Sequence, residues 1–339
     1  MGSIRSLAGS LGLSITTVSR ALDGYPDVAE TTRERVRKAA DELGYRPNAT
    51  ARRLRKGTGE TVAFVMPTEP GRFYEPVFAE QLAAIGEHLS EHQHDLVLLA
   101  ARPGPDEAAL YRRLVEGRRA DVFIIVRTRR DDERVRYLQQ KGVPFICHGR
   151  TDSLVPYAYI DGDGEAGFRA LTARLVARGH QRIALLCAPT SLMFAARRAT
   201  GWRSAMAEAG LSTALMAEAP HTEEGGHQLA SRFLAMRERP TAMICTTDRM
   251  AVGAMRAIER AGLKISRDIA VTGHDNIPAS LFTDPPLTTM ELPMREVGRR
   301  LAEMVLARLG GADIRDLQEV RPLIQHPRAS SGEGPNGHP

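Results

Sequence analysis

Asp161, Phe194, Arg198, Asp248 and Asp275 offer this sequence's strongest chemistry for a polar small molecule. Each stands at or shortly after the end of an apolar run, and Phe73 and Tyr74 follow another such run. Carboxylates accept hydroxyl protons, a guanidinium donates to oxygens, and an aromatic ring covers the apolar face of a cyclic polyol. Arg197 and His274 lie beside members of this set. A second use stays open for two of them, because Asp161 and Asp248 also stand where a helix would need an N-cap.

A different chemistry gathers near the N-terminus. In LSITTVSRAL (13–22), Ser14, Ile15, Thr16, Thr17, Ser19 and Arg20 set short groups and one long base on the solvent side of a helix, which suits the major groove of DNA. The stretch RPNATARRLRKGTGE (46–60) adds Asn48 as a cap for a short helix from Ala49 to about Lys56, which carries Arg52, Arg53, Arg55 and Lys56 and one exposed apolar residue, Leu54. A helix of two turns there is too short to persist unaided. Ordered on a minor groove, it would wedge Leu54 between base pairs while Arg52 and Arg55 meet phosphate; a plain linker is the other reading.

Catalytic signatures are missing. TVAFVMP (61–67) runs into TEPGRFYEP rather than GxGxxG, and neither GxSxG nor HExxH occurs, so no enzyme and no cofactor are expected. His88 and His92 stand four apart, but with no carboxylate motif beside them a polar helix face explains them, and no metal ligand is expected. Cys147, Cys187 and Cys245 each follow an apolar run without a CxxC pair and read as buried thiols.

The elements that position these groups follow from periodicity. Ile4, Leu7, Ala8 and Leu11 have helical spacing, Gly12 suits a tight turn, and Ser14 caps a second helix whose Val18 and Leu22 face inward: a helix-turn-helix. Thr31 and Glu34 form a capping box for a third helix over 33–43, with Val36, Ala40 and Leu43 as its inner stripe. Residues 1–60 hold eleven Lys/Arg against seven Asp/Glu, so most of the formal net charge of +5 sits beside the groups proposed to meet phosphate.

From residue 61 strands and helices alternate in two series, which implies α/β architecture with parallel sheets in two lobes. The boundaries read as 1–46 for the helical DNA-binding domain, 47–60 for hinge helix and linker, 61–160 plus 291–326 for one lobe, 161–290 for the other, and 327–339 for a Ser/Gly/Pro-rich disordered tail. In open α/β sheets ligands bind beyond the carboxyl ends of the strands, so the cleft between the lobes is the expected small-molecule site. No stretch approaches a membrane span and the start lacks a signal-type apolar core, which leads to a cytoplasmic expectation.

LGLSITTVSRALDG (11–24), TRERVRKAADELGYRPNATARRLRKG (32–57), GHQRIALL (179–186), RATGW (198–202) and VTGHD (271–275) together resemble the LacI/GalR family of bacterial transcription regulators. The resemblance covers about residues 3–326 and implies a periplasmic-binding-protein-like core, dimers on partly palindromic operators, and a small effector, most often a sugar or a nucleobase. It implies Ile15, Thr16 and Arg20 as major-groove readers, Thr17 and Ser19 at the DNA backbone, and Leu54 in the minor groove. Arg198 matches the arginine of the family's RxxG[YFW] motif, Asp275 its GxD aspartate, and Asp161 the aspartate ahead of the second lobe. His274 replaces a frequent Tyr or Phe, and Thr247 a frequent Asn. The expectation is a dimeric, sugar-controlled repressor of carbohydrate genes. A nucleobase or a protein corepressor as effector is the first alternative, and a solute-binding or sugar-active protein the second.

Overall fold

The structure is a computed structural model that describes residues 3–45, 61–68 and 76–332. It divides into two compact units, Met1–Gly59 and Glu60–Pro339. The first holds α1 (Ile4–Leu11), α2 (Ile15–Leu22) and α3 (Glu30–Glu42). Ser3 and Ser6 cap α1 reciprocally, Gly12 ends it at φ 65°, and the Ser14 hydroxyl accepts the Thr17 N–H to start α2. Leu7, Ala8, Val18, Ala21, Val28, Val36 and Ala40 are its core.

Two details differ from the sequence reading. The third helix begins at Glu30 after Ala29, without a side-chain cap, so the Thr31–Glu34 box does not form. An ion pair of Arg33 with Glu30, and Arg33 Nη2 donating to the Tyr25 and Val28 carbonyls, secure that end instead. Leu43 lies outside the core, 43% exposed, because the helix stops one residue before it.

The second unit opens with β1 (Thr61–Pro67), α4 (Pro76–Glu91), β2 (Asp95–Ala101), α5 (Pro105–Glu116), β3 (Val122–Ile125), α6 (Glu133–Lys141), β4 (Phe145–His148) and β5 (Ala158–Gly162). It continues with α7 (Gly164–Ala177), β6 (Ile183–Cys187), α8 (Met193–Glu208), β7 (Met216–Glu218), α9 (Glu223–Leu234), β8 (Ala242–Cys245), α10 (Asp248–Arg260) and β9 (Ala270–Thr272). The last elements are β10 (Thr289–Glu291), α11 (Met294–Leu309), β11 (Gln318–Arg321) and β12 (Ile324–His326). One parallel sheet has the order β11-β5-β4-β3-β1-β2, the other β7-β6-β8-β9.

The inner strands of both sheets are covered on two faces, which is why β1, β3, β6 and β8 read as unbroken apolar runs. In β1, Val62 and Phe64 face one core while Ala63 and Val65 face the other. In β6, Ala184 and Leu186 oppose Ile183, Leu185 and Cys187 in the same way. In each sheet the strand order reverses direction beside its first strand, which places a ligand crevice at those carboxyl ends.

The chain passes between the lobes three times. Asp163 N donates to the Arg321 carbonyl where the first and third passes run together. Met290 is buried in the second lobe's core and Leu292 in the first's, so the middle pass falls at Glu291. β10 and β12 pair antiparallel as a two-stranded ribbon. The third pass corrects the sequence reading of a tail beginning at 327. Residues 329–331 form a 3-10 turn against the second lobe, with Ser330 and Ser331 buried. Ser330 Oγ accepts from Thr288 N and donates to the Val271 carbonyl, each at 2.7 Å. Composition points to disorder there, but the Ser330 hydroxyl and the Arg328 guanidinium meet backbone groups of the second lobe, and the Ser331 hydroxyl meets Thr288 Oγ1. Residues 333–339 lie outside the described part. Among the described residues no helix is long and apolar enough to cross a membrane.

Candidate effector cleft and DNA-reading helix

The carboxyl ends of the two sheets face one another across a cleft. Phe78, Arg127, Thr128, His148, Arg150 and Asp161 line it from the first lobe; Phe194, Arg197, Arg198, His221, Arg249 and Asp275 line it from the second. The rims touch through backbone: Met193 N donates to the Thr128 carbonyl at 2.9 Å and Arg130 N to the Ser191 carbonyl at 3.3 Å.

Arg198 is the centre of the second wall. It projects from the second turn of α8, and its guanidinium lies 4.8 Å from the Phe194 ring centre and 5.7 Å from that of Phe168. Its Nη1 donates to the Thr246 carbonyl and its Nη2 to His274 Nε2 at 3.2 Å. Because Nε2 accepts, His274 carries its proton on Nδ1 and donates it to Asp275 Oδ1 at 2.7 Å. Burial, and next Arg198, hold the His274 imidazole well below its ordinary value, so it is neutral at pH 7. Burial also lowers Arg198, against the pull of Asp275 and Asp161, but a guanidinium stays charged. Asp275 and Asn276 have φ of 120° and 50°, a conformation rare for side-chain-bearing residues, and this stored strain sits at the cleft floor.

α8 can bring Arg198 there because it crosses α7 closely. A Cβ on Gly201 would stand 2.1 Å from the Glu165 carbonyl oxygen, so only glycine fits. This is the physical content of the RATGW stretch.

The opposite wall is set by β3, β4 and α4. His148 Nδ1 accepts from Gln81 Nε2 at 2.9 Å. Burial lowers His148 and Arg198 adds to that, while Asp161 opposes it. Asp161 Oδ2 accepts from Arg150 Nε at 2.8 Å. The Arg127 guanidinium covers the Phe78 ring at 5.3 Å.

Of the sequence-predicted small-molecule set, the structure therefore brings Asp161, Phe194, Arg198 and Asp275 to one cleft. Phe73 and Tyr74 lie outside the described residues. Asp248 is a correction. Its carboxylate is fully buried behind the cleft, with Oδ1 accepting from Thr289 Oγ1 at 2.6 Å and Oδ2 from Ile277 N at 3.0 Å. It ties α10 to β10 and to the loop after Asp275, and burial, with Asp275 nearby, pushes it up to about 7. The α10 cap is Thr247, whose hydroxyl accepts the Met250 N–H. Phe78, Arg127, His148, Arg150, His221 and Arg249 were missed. Arg127, His148 and Arg150 stand at the ends of β3 and β4, where the strand-end rule would have found them. The cysteines are fully buried; burial raises all three thiols, Cys187 to about 12, which leaves them unreactive.

In the helical unit, Ser14, Ile15, Thr16 and Arg20 are exposed and Thr17 is half-buried. Arg20 Nη2 is paired with Asp27 at 2.6 Å, and the guanidinium lies over Tyr25. Ser19 is corrected: it is 3% exposed, with its hydroxyl donating to Asp23 Oδ2 at 3.3 Å, because it shares the inner side of α2 with Val18. Asn48, Arg52, Leu54 and Arg55 lie outside the described residues.

The sequence matches the family of bacterial regulatory proteins, lacI family, over residues 3–48, and the family of periplasmic binding proteins and sugar binding domain of LacI family over residues 60–327. The HTH-type transcriptional regulator AglR of Rhizobium meliloti is 37% identical, over 99% of this chain and 96% of that one. The solved structure of a transcriptional regulator CelR–cellobiose complex is similar at TM-score 0.75 and 28% identity, covering 97% of this chain and 100% of the other. The lac repressor dimer bound to operator and the anti-inducer ONPF reaches TM-score 0.85 at 27% identity, covering 97% and 99%. Members of this family are transcriptional regulators rather than enzymes, and they bind operator DNA as dimers with small-molecule effectors. Helix-turn-helix, two-lobed core and both matches agree: this chain belongs to the LacI family of bacterial regulators, as a sequence-specific DNA-binding protein.

Proposed function

We propose that this regulator is a repressor of carbohydrate uptake or catabolism genes, released from its operator by a neutral sugar of disaccharide size. The observation that carries this reading is the Arg198–His274–Asp275 chain facing Asp161 across the cleft, with Phe194 and Phe78 beside it. A fixed guanidinium donor, two carboxylate acceptors and aromatic faces match the needs of a polyol. The similar structure that holds cellobiose supports a sugar of that size.

Ile15, Thr16 and Arg20 would read base edges, Ser14 and Thr17 would meet phosphates, and Asn48, Arg52, Leu54 and Arg55 would form the minor-groove element. Control is linkage. A sugar that binds one arrangement of the lobes better than the other shifts the population, and operator affinity changes by the same coupling energy.

The test selects a palindromic operator from random duplexes with the full-length protein, then follows its binding by fluorescence anisotropy while cellobiose and other disaccharides are added. Loss of operator binding with one of them is expected. In Arg198→Ala, operator binding should persist while the sugar concentration needed for release rises about tenfold to a hundredfold, since a hydrogen bond to a charged group contributes about 1.5–3 kcal/mol. Tighter operator binding on adding sugar would instead mean corepression. No response to any sugar would overturn the sugar assignment.

A further inference from the structure

We propose that His88, Glu91 and His92 form a surface site for a divalent transition-metal ion of the Zn²⁺, Ni²⁺ or Cu²⁺ class. It lies at the carboxyl end of α4, just before the outermost strand β2. One ligand atom from each of the three side chains lies within 4.8 Å of the others. The sequence pattern alone shows two histidines four apart and no carboxylate motif. The structure supplies a carboxylate, with Glu91 Oε2 3.7 Å from His88 Nδ1.

Three features favour an ion there. The His88 and His92 rings approach to 4.7 Å between centres, because positions four apart share one helix face. His92 Nδ1 lies 2.9 Å from the His88 carbonyl oxygen, which can only accept, so Nδ1 carries the proton and Nε2 keeps its lone pair outward. A backbone carbonyl that fixes the tautomer in this way is a regular companion of metal-binding histidines. Finally, the helix's negative end lies here, and it favours a cation.

Tetrahedral coordination at about 2.0–2.2 Å needs donor atoms about 3.4 Å apart. Reaching it takes small rotations of the exposed Glu91 and His92 side chains toward His88, whose side chain is only 16% exposed against 72% for Glu91. Two imidazoles and one carboxylate suit borderline ions and leave a coordination position for water, whereas Mg²⁺ prefers an all-oxygen set. An ion bound to all three would clamp the last turn of α4 to the residue that follows it.

The site is distinct from the effector cleft, none of whose lining residues it shares. The test is calorimetric titration of the untagged full-length protein with ZnCl₂ and NiCl₂. One ion per chain is expected, unaffected by excess MgCl₂. Binding should weaken at least tenfold in His92→Ala and be lost in the His88→Ala/His92→Ala double variant. With CuCl₂, the electron paramagnetic resonance spectrum should show coupling to two imidazole nitrogens, reduced to one in His92→Ala. His92 is exposed, so its variant folds and carries the test even if the double variant does not. Absence of saturable uptake, or uptake unchanged in His92→Ala, would overturn the proposal.

Discussion

Asp248 shows how one side chain's surroundings decide its role. On sequence it stood with the candidate sugar contacts, yet its oxygens are consumed by Thr289 Oγ1 and Ile277 N–H. Burial, with Asp275 beside it, raises its pKa to about 7, against roughly 3.9 in an unfolded chain. Between those values the folded state holds the proton and the unfolded state does not, so this group lowers stability as pH rises, and the loss levels off above about pH 7. His148 and His274 act in the opposite sense. Burial keeps them neutral, so they cost stability as pH falls below about 6.5. The difference between the wild type and Asp248→Asn isolates the aspartate. An amide can donate to Thr289 Oγ1 and accept from Ile277 N–H without ever ionising. Urea unfolding from pH 4 to 8 should show the wild type losing a few kcal/mol relative to the variant, mostly before pH 7. A difference that does not change with pH would show that Asp248 titrates like an exposed carboxylate.

At the scale of elements, the cleft depends on how closely α7 and α8 cross. In Gly201→Val the new side chain would meet the Glu165 carbonyl and the Arg169 N–H, which a Cβ would approach to 2.1 and 2.9 Å. Separating the helices disturbs the packing of Trp202 and tilts Arg198, one turn earlier. Overpacking of this kind costs about 1–3 kcal/mol or more, so the melting temperature should fall by roughly 5 °C or more, with a weaker sugar response. An unchanged melting curve would mean that the helices slide apart freely. Element existence was legible in the sequence because parallel strands buried on both faces are unbroken apolar runs, as in TVAFVMP and RIALLCA. Side-chain positions were legible where a strand end forces a residue into the crevice, as at Asp161 and Asp275. Roles were not legible where two adjacent polar residues compete for one task. Periodicity cannot distinguish Thr247 from Asp248 as cap, nor show that a small hydroxyl such as Ser19 has turned to the inner side of its helix. His148 ends β4 and Arg150 follows it, so the strand-end rule reaches both, and the pairing of β4 between β3 and β5 places that strand in the wall.

For the effector core as a whole, the three passes between lobes matter more than any single contact, because any change in lobe orientation would have to bend all of them. β10 and β12 carry two passes as one ribbon, tied by His326 Nε2 and Asn276 Nδ2, both hydrogen-bonded to Glu291 Oε2, at 2.7 and 3.0 Å. Beyond the ribbon, Arg328 donates to Ser280 Oγ, the Leu287 carbonyl and Asn276 Oδ1, and Ser330 bridges Thr288 and Val271. Asn276 thus joins the strained floor beside Asp275 to the last part of the chain. A chain ending at His326 would leave the Thr288 N–H and the Val271 carbonyl buried without their present partners, at about 1–3 kcal/mol each. Compared with a chain ending at Gly332, it should melt roughly 5–10 °C lower, since about 1 kcal/mol shifts a domain of this size by 2–4 °C. Its sugar affinity should fall as well, because Asn276 loses the guanidinium that holds its carbonyl. Equal melting temperatures and equal sugar affinity in the two chains would show that the 3-10 turn only rests on the second lobe, and the hinge would then consist of the ribbon and the Gly162–Asp163 pass alone.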